Sequence, residues 1–159
     1  MPIDSTFSRW PISQRFKNPG GNVPNIVWSE TLSVGRMEID AEHKQLIRIA
    51  NSLLRAMQED RNKNDFAKIL HELREYTVFH FANEEEYMRS IDYPDLGDHM
   101  EEHNILKRRV KDFQHSVFIG ETVEFGLLRE MLKDWLVGHI LSCDLLIKGY
   151  LASKNELNE

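Results

Sequence analysis

The chain has 159 residues, 41% of them hydrophobic and 29% charged, which is typical of one globular domain with its own core. Its net charge of −6 argues against nucleic acid and anionic membranes as partners, because both attract basic surfaces. The single cysteine excludes an internal disulfide and a thiolate metal cluster. MPIDSTFSRW has no apolar signal-peptide core, and no apolar run approaches the roughly 18 residues of a membrane span, so we expect a cytoplasmic protein.

The chain begins with an irregular stretch and continues with four helical patterns. NPGGNVP (18–24) has the composition of a turn or linker, which predicts an N-terminal extension over residues 1–27. Apolar residues then recur at spacings of three and four in four segments. The predicted helices cover about 40–57, 65–89, 98–117 and 123–152. Asp40 is the expected N-cap of the first helix.

Short polar or Gly/Pro-containing breaks separate these four segments. Four amphipathic helices joined by short loops predict an all-α fold, an antiparallel up-down-up-down four-helix bundle. We place the bundle at residues 28–152 and a C-terminal tail at 153–159.

Each predicted inward face is apolar over most of its length and becomes polar toward one end. The polar positions are His43 on the first helix, His80 and Glu84 on the second, His99 and His103 on the third, and His139 and Asp144 on the fourth. Because neighbouring helices of an antiparallel bundle run in opposite directions, these ends meet in one layer. A lone HxxxE or HxxxH pair is usually a surface pair. Seven such groups in one buried layer would carry a heavy desolvation cost without a cation.

The glutamate run 84–86 divides by helical position. Glu84 continues the inward face of the second helix through Thr77 and His80. Glu85 and Glu86 are rotated by about 100° and 200° from that face at 3.6 residues per turn. We therefore predict that Glu84 faces the core and that the other two face water or a flank.

The ligand types favour iron among the common metals. Seven ligands are too many for one closed zinc site, and five imidazoles argue against calcium and magnesium. Imidazole with carboxylate suits iron. Five histidines, two bridging carboxylates and one solvent-derived oxo or hydroxo bridge would leave a pair of six-coordinate irons with a single open position, as the binding of one dioxygen requires.

His139 and Asp144 are five residues apart, so they diverge by about 140° on an ideal helix. Either they reach the metals from two sides of the helix seam, or the helix widens locally into a π-bulge, which is frequent at functional sites.

The ordered set H…HxxxE…HxxxH…HxxxxD resembles the signature of the hemerythrin family, specifically a bacteriohemerythrin-type domain. The matching segments are DAEHK (40–44), HFANEE (80–85), HMEEH (99–103) and HILSCD (139–144). Trp28 and WLVGHI (135–140) are also similar to the family, and the resemblance covers about residues 26–152. The chain departs from the family in its longer lead, where Trp10 and Phe16 are candidates to pack on the bundle.

The resemblance implies a non-heme centre of two iron ions that binds dioxygen reversibly. His99, His103 and His139 would then hold the coordinatively filled iron. His43 and His80 would hold the iron with the open position, and Glu84 and Asp144 would bridge the two ions.

Several other residues carry predictions. Phe81 and Trp135 flank ligand positions and are expected to line the dioxygen pocket, although core packing explains them equally well. His71 and His115 lie off the inward faces and are expected at the surface. For Cys143, beside Asp144, we favour a small buried hydrophobe over a redox-active thiol.

Three functions compete. Reversible dioxygen binding, for carriage, storage or delivery, is the leading interpretation. The alternative is an oxygen- or redox-sensing domain, part of a larger signalling protein, in which case a protein partner would read its state. A di-iron oxidase or peroxidase is disfavoured, because ferritin-like di-iron sites are carboxylate-rich, with four Glu and two His. We therefore expect no enzymatic activity.

We predict that Glu84→Ala loses iron far more readily than Glu85→Ala or Glu86→Ala, because only Glu84 lies on the inward face. Iron per chain, measured after dialysis of the three variants, tests this. Equal iron content in all three would contradict the helical assignment and the choice of Glu84 as a bridge.

Overall fold

Four long helices run antiparallel to their neighbours in the computed structural model, which describes residues 25–59 and 61–156. They are α1 (Met37–Gln58), α2 (Lys63–Ser90), α3 (Leu96–Phe118) and a fourth helix assembled from several segments. α1 packs on α2 and on the fourth helix, and α2 packs on α3. The described residues contain no strand. The all-α up-down-up-down bundle is therefore confirmed, with helix ends within a few residues of those predicted.

The fourth helix changes its winding in the middle. It begins as α4 (Phe125–Lys133), continues through π-helical turns at Asp134–Gly138 and Ile140–Asp144, and ends as α5 (Leu145–Glu156). A π-helical turn closes hydrogen bonds from residue i to i+5, which brings residues five apart onto one side. Of the two arrangements open for His139 and Asp144, the chain adopts the local widening.

The predicted inward faces are the faces that the bundle buries. Leu46, Leu53, Leu70, Leu128 and Leu132 are each at most 1% exposed and lie in one large apolar core. A second, smaller apolar cluster is formed by Met88, Tyr93 and Ile147 near the opposite end of the bundle. The polar layer lies between these two clusters, because the inward faces become polar just before the helices reach the second one.

The segment before α1 lies across the bundle and fixes the start of that helix. Asn51 holds Ile26 through two hydrogen bonds, donating from Nδ2 to the carbonyl oxygen at 2.8 Å and accepting from the amide at 2.9 Å. Asp40 accepts from the amide of Val34 at 2.9 Å and from the hydroxyl of Ser33 at 2.6 Å. The prediction of Asp40 as N-cap was wrong, because α1 starts three residues earlier and Asp40 ties the preceding segment to it.

Phe125–Asn155 is long and apolar enough to cross a membrane by length and composition, with a mean hydropathy of 1.2 in an 18-residue window. Its His139 and Asp144 are buried against the other helices. A helix in a protein core acquires the same apolar character as a helix in lipid.

Most of the predicted N-terminal extension, including Trp10 and Phe16, lies outside the described residues, and so does the end of the C-terminal tail. The domain limits of 28 and 152 stay a prediction.

We expect Asp40→Ala to lower the free energy of unfolding by about 2 kcal/mol, since the two hydrogen bonds lost are made to a charged group. Urea denaturation followed by circular dichroism measures this. Glu38→Ala is the matched control, because it removes an exposed acid from the same helical turn, and Glu38 pairs with the exposed Arg36. Equal losses in the two variants would contradict a specific role for Asp40.

Candidate metal centre

The seven predicted ligands come together in one buried layer. Each side chain belongs to a residue no more than 7% exposed, and Glu84, His103 and Asp144 are at 0%. Their ligating atoms fall into two sets, within each of which the atoms lie within 4.8 Å of one another. The larger set is Glu84, His99, His103, His139 and Asp144, and the smaller set is His43, His80, Glu84 and Asp144.

The two carboxylates belong to both sets. Asp144 turns one oxygen to each side: Oδ1 is 3.0 Å from His139 Nε2 and 3.1 Å from His99 Nε2, whereas Oδ2 is 3.1 Å from His43 Nε2. Glu84 also lies between the sets: Oε2 is 3.1 Å from His103 Nε2 and 3.9 Å from His80 Nε2, and Oε1 is 3.7 Å from His43 Nε2. The layer therefore has room for two cations that share Glu84 and Asp144.

Nine buried polar atoms of the layer have no hydrogen-bond partner among the described residues. They are both nitrogens of His43, Nε2 of His99, His103 and His139, and all four carboxylate oxygens of Glu84 and Asp144. Buried polar groups without partners are costly, and most proteins leave very few. Imidazole nitrogens and carboxylate oxygens are metal ligands, so the donor set fits bound cations.

Attraction between the histidines and the two carboxylates takes the place of the cations in the metal-free protein. Burial opposes a charge on His99 and His139, but Asp144 outweighs it and raises the pKa of His99 to about 9 and that of His139 to about 10. Burial and the neighbouring Asp144 favour protonation of Glu84, yet the surrounding imidazoles lower its pKa to about 2. Imidazolium and carboxylate groups therefore hold the layer together when no metal is bound.

Two glutamates outside the cluster orient two of the rings. Glu42 Oε2 lies 2.8 Å from His80 Nδ1, and Glu85 Oε1 lies 2.9 Å from His103 Nδ1. Asn83 donates to the other oxygen of Glu42 at 2.8 Å. With Nδ1–H bound to a carboxylate, Nε2 is left free to face the cluster.

Sequence reasoning missed both of these supporting roles. Glu85 occupies the flank of α2 that was predicted for it, but it contacts His103 of α3 across the helix interface. Glu86 is exposed. The sequence offered one signal for these roles: each glutamate is adjacent to a predicted ligand, since Glu42 precedes His43 and Glu85 follows Glu84.

A cavity of about 10 Å³ adjoins the smaller set. Its apolar lining includes both predicted pocket residues, and its polar lining comes from the cluster. The apolar residues are Leu46, Phe81, Trp135, Leu136 and Ile140. Phe81 also stacks on His103 with ring centroids 3.8 Å apart, and Trp135 Nε1 donates to the carbonyl of Leu106 at 3.2 Å. Leu46, Leu136 and Ile140 were not predicted, because helical periodicity marks them only as core.

The remaining predictions have mixed outcomes. His71 and His115 are exposed, as expected. Cys143 is not a buried hydrophobe: it is partly exposed, and a hydrogen bond with His139 lowers the pKa of its thiol despite some burial. The π-helical turn explains this, because it directs Asp144 into the bundle and leaves Cys143 at the flank.

Comparison with known proteins finds one family model, "Hemerythrin HHE cation binding domain", which matches residues 35–151. The chain is 32% identical to a bacteriohemerythrin of Stenotrophomonas maltophilia over 119 residues, 75% of this chain and 76% of that protein. It is 32% identical to a bacteriohemerythrin of Pseudomonas aeruginosa over 136 residues, 85% and 86% of the two chains. A crystal structure of wild-type hemerythrin superimposes with a TM-score of 0.71 at 28% identity, over 78% of this chain and 95% of that one.

We predict that the metal-free protein loses stability as the pH rises from about 6.5 to 10. The raised pKa values of His99 and His139 stabilise the fold fully below 6.5, and this contribution disappears as the pH passes about 9 and 10. The lowered pKa of Glu84 stabilises the fold above 4.5 and loses this effect as the pH falls toward 2.

Urea denaturation of metal-free protein from pH 5 to 10 measures this decline in the free energy of unfolding. His139→Ala should reduce the decline, and the exposed His71→Ala should not. A free energy of unfolding that stays constant over this range would contradict the ionic cluster.

Proposed function

Because the chain belongs to the hemerythrin family, we propose that it binds dioxygen reversibly at a non-heme di-iron centre. The ligands would be His43, His80, Glu84, His99, His103, His139 and Asp144. One observation carries the proposal: the seven residues form two ligand sets that share two carboxylates, and nine of their buried polar atoms have no hydrogen-bond partner among the described residues.

The unequal ligand sets support different tasks for the two irons. Three histidines and the shared carboxylates surround one position, and two histidines and the same carboxylates surround the other. The iron pair, when bound, supplies the electrons that reversible dioxygen binding requires. The open coordination position would lie on the His43–His80 side, since both histidines of that set line the small cavity, whereas His139 is the only histidine of the larger set that does.

The size of that cavity favours dioxygen over an organic substrate. About 10 Å³ is close to the minimum that holds one water molecule. Leu46, Phe81 and Ile140 line it with apolar atoms, and its volume leaves no room for a larger molecule. These residues support a binding protein over an oxidase or peroxidase.

The residues around the centre protect and orient it. Glu42 and Glu85 fix the rings of His80 and His103, each through Nδ1, so that Nε2 points at the metal positions. The apolar cluster of Met88, Tyr93 and Ile147 covers the layer on the side opposite the main core. An ordered and dry ligand layer limits irreversible oxidation, which a reversible carrier has to avoid.

An optical experiment tests the proposal. We expect reduced protein with two irons per chain to develop an oxygen-induced absorption band that fades under argon and returns with oxygen over several cycles. His71→Ala is the control, since this exposed residue lies off the cluster. Glu84→Ala should lack the band because it loses iron.

Iron that oxidises once and does not recover would contradict reversible binding. That result would instead favour the sensing alternative or an enzyme, and turnover with an added reductant would separate the two.

A further inference from the structure

A second, larger cavity lies outside the metal layer, on the outer surface between α2 and α3. Its volume is about 200 Å³. Its lining residues are Arg74, Thr77, Val78, Lys107, Arg108, Val110 and Lys111. We name it the α2–α3 groove. It shares no lining residue with the cavity beside the cluster, and the proposed dioxygen chemistry does not use it.

Four of the seven lining residues of the groove are cations, in a chain whose net charge is −6. Lys107 and Lys111 are one turn apart on α3, and like charges at this spacing destabilise a helix. Within the described part of the chain, neither lysine has a carboxylate within salt-bridge distance. The groove therefore carries two positive charges, on Lys107 and Lys111, that no carboxylate of the described residues neutralises.

The other two cations, Arg74 and Arg108, have polar partners. Arg74 of α2 donates to Gln114 of α3 at 3.0 Å, which fixes its guanidinium across the groove. Arg108 lies 3.5 Å from Glu101, but both side chains are more than 60% exposed, so this pair is weak. Arg74, Lys107 and Lys111 are thus the groups best placed to meet an anion.

Part of the groove lining is apolar. Val78 and Val110 contribute apolar atoms, and the hydroxyl of Thr77 is already used in a 2.6 Å hydrogen bond to the carbonyl of Leu73. A bare inorganic anion would leave these apolar atoms uncovered, and a neutral apolar molecule would leave the cations unpaired. The lining therefore suits a ligand that has both an anionic group and an apolar body.

We propose that the α2–α3 groove binds a small organic carboxylate, with its apolar body on Val78 and Val110 and its carboxylate between Arg74, Lys107 and Lys111. A volume of about 200 Å³ is below that of pockets for drug-sized ligands, so the body is a short aliphatic chain or a single ring. Arginine and lysine pair well with carboxylate, and the apolar contact adds affinity.

Isothermal titration of the full-length, iron-loaded protein with hexanoate tests this. We expect saturable binding of one hexanoate per chain, and binding roughly tenfold or more weaker for hexan-1-ol, which lacks the charge, and for inorganic phosphate, which lacks the apolar body. No saturable binding of hexanoate would overturn the proposal. Phosphate binding as tightly as hexanoate would also overturn it.

Matched variants locate the binding. Lys107→Glu/Lys111→Glu should weaken hexanoate by roughly tenfold or more, whereas Lys68→Glu/Lys133→Glu, with the same change in net charge at exposed positions, should stay within about twofold. Equally weakened hexanoate binding in the two double variants would assign the effect to overall charge and overturn the proposal.

A second kind of variant decides the question if the charge reversal disturbs folding. Val78→Trp should fill the groove and abolish hexanoate binding, because Val78 lines it and is 48% exposed. Val27→Trp, at a 74% exposed valine outside the groove, is the control. Unchanged binding in Val78→Trp, with unchanged iron content and circular dichroism, would overturn the proposal.

Discussion

Burial of seven ionisable side chains in one layer is the constraint on which the rest of this structure depends. Five imidazoles and two carboxylates lie at most 7% exposed, and most of their inward-facing atoms have no hydrogen-bond partner among the described residues. Such a layer is costly to bury unless opposite charges or bound cations compensate it. The apolar core on one side and the smaller cluster of Met88, Tyr93 and Ile147 on the other exclude water, which makes that compensation strong.

The bundle satisfies this constraint through antiparallel packing and local winding. Antiparallel packing brings the beginnings of α1 and α3 beside the end of α2, so that residues far apart in the chain supply one cluster. The π-helical turns of the fourth helix add Asp144 to the side occupied by His139. Asp144 then faces histidines of both ligand sets, with one oxygen toward each. The two carboxylates therefore serve both the electrostatics of the metal-free layer and the proposed sharing of two irons.

The outer surface of the same helices follows a different rule. α2 and α3 bury His80, His99 and His103 at one end, and they expose a groove lined by Arg74, Lys107 and Lys111. The groove and the metal layer share two helices but no lining residue or ligand. A helix pair can thus present a buried ligand layer and an exposed cationic groove, because residues about half a turn apart face opposite directions.

The sequence by itself determined the four helices, their inward faces and the seven residues of the polar layer, because the spacing of side chains on a helix is fixed locally by its pitch. For the same reason, it distinguished the inward-facing Glu84 from the outward-facing Glu86. Only the tertiary structure decided that the fourth helix widens, that Glu42 and Glu85 support His80 and His103, and that Asp40 ties the preceding segment to α1. The contacts of Glu42, Glu85 and Asp40 depend on the distance between two helices, or between a helix and a crossing segment, and the π-helical turns place Asp144 against histidines of other helices. No periodicity within one segment encodes these contacts.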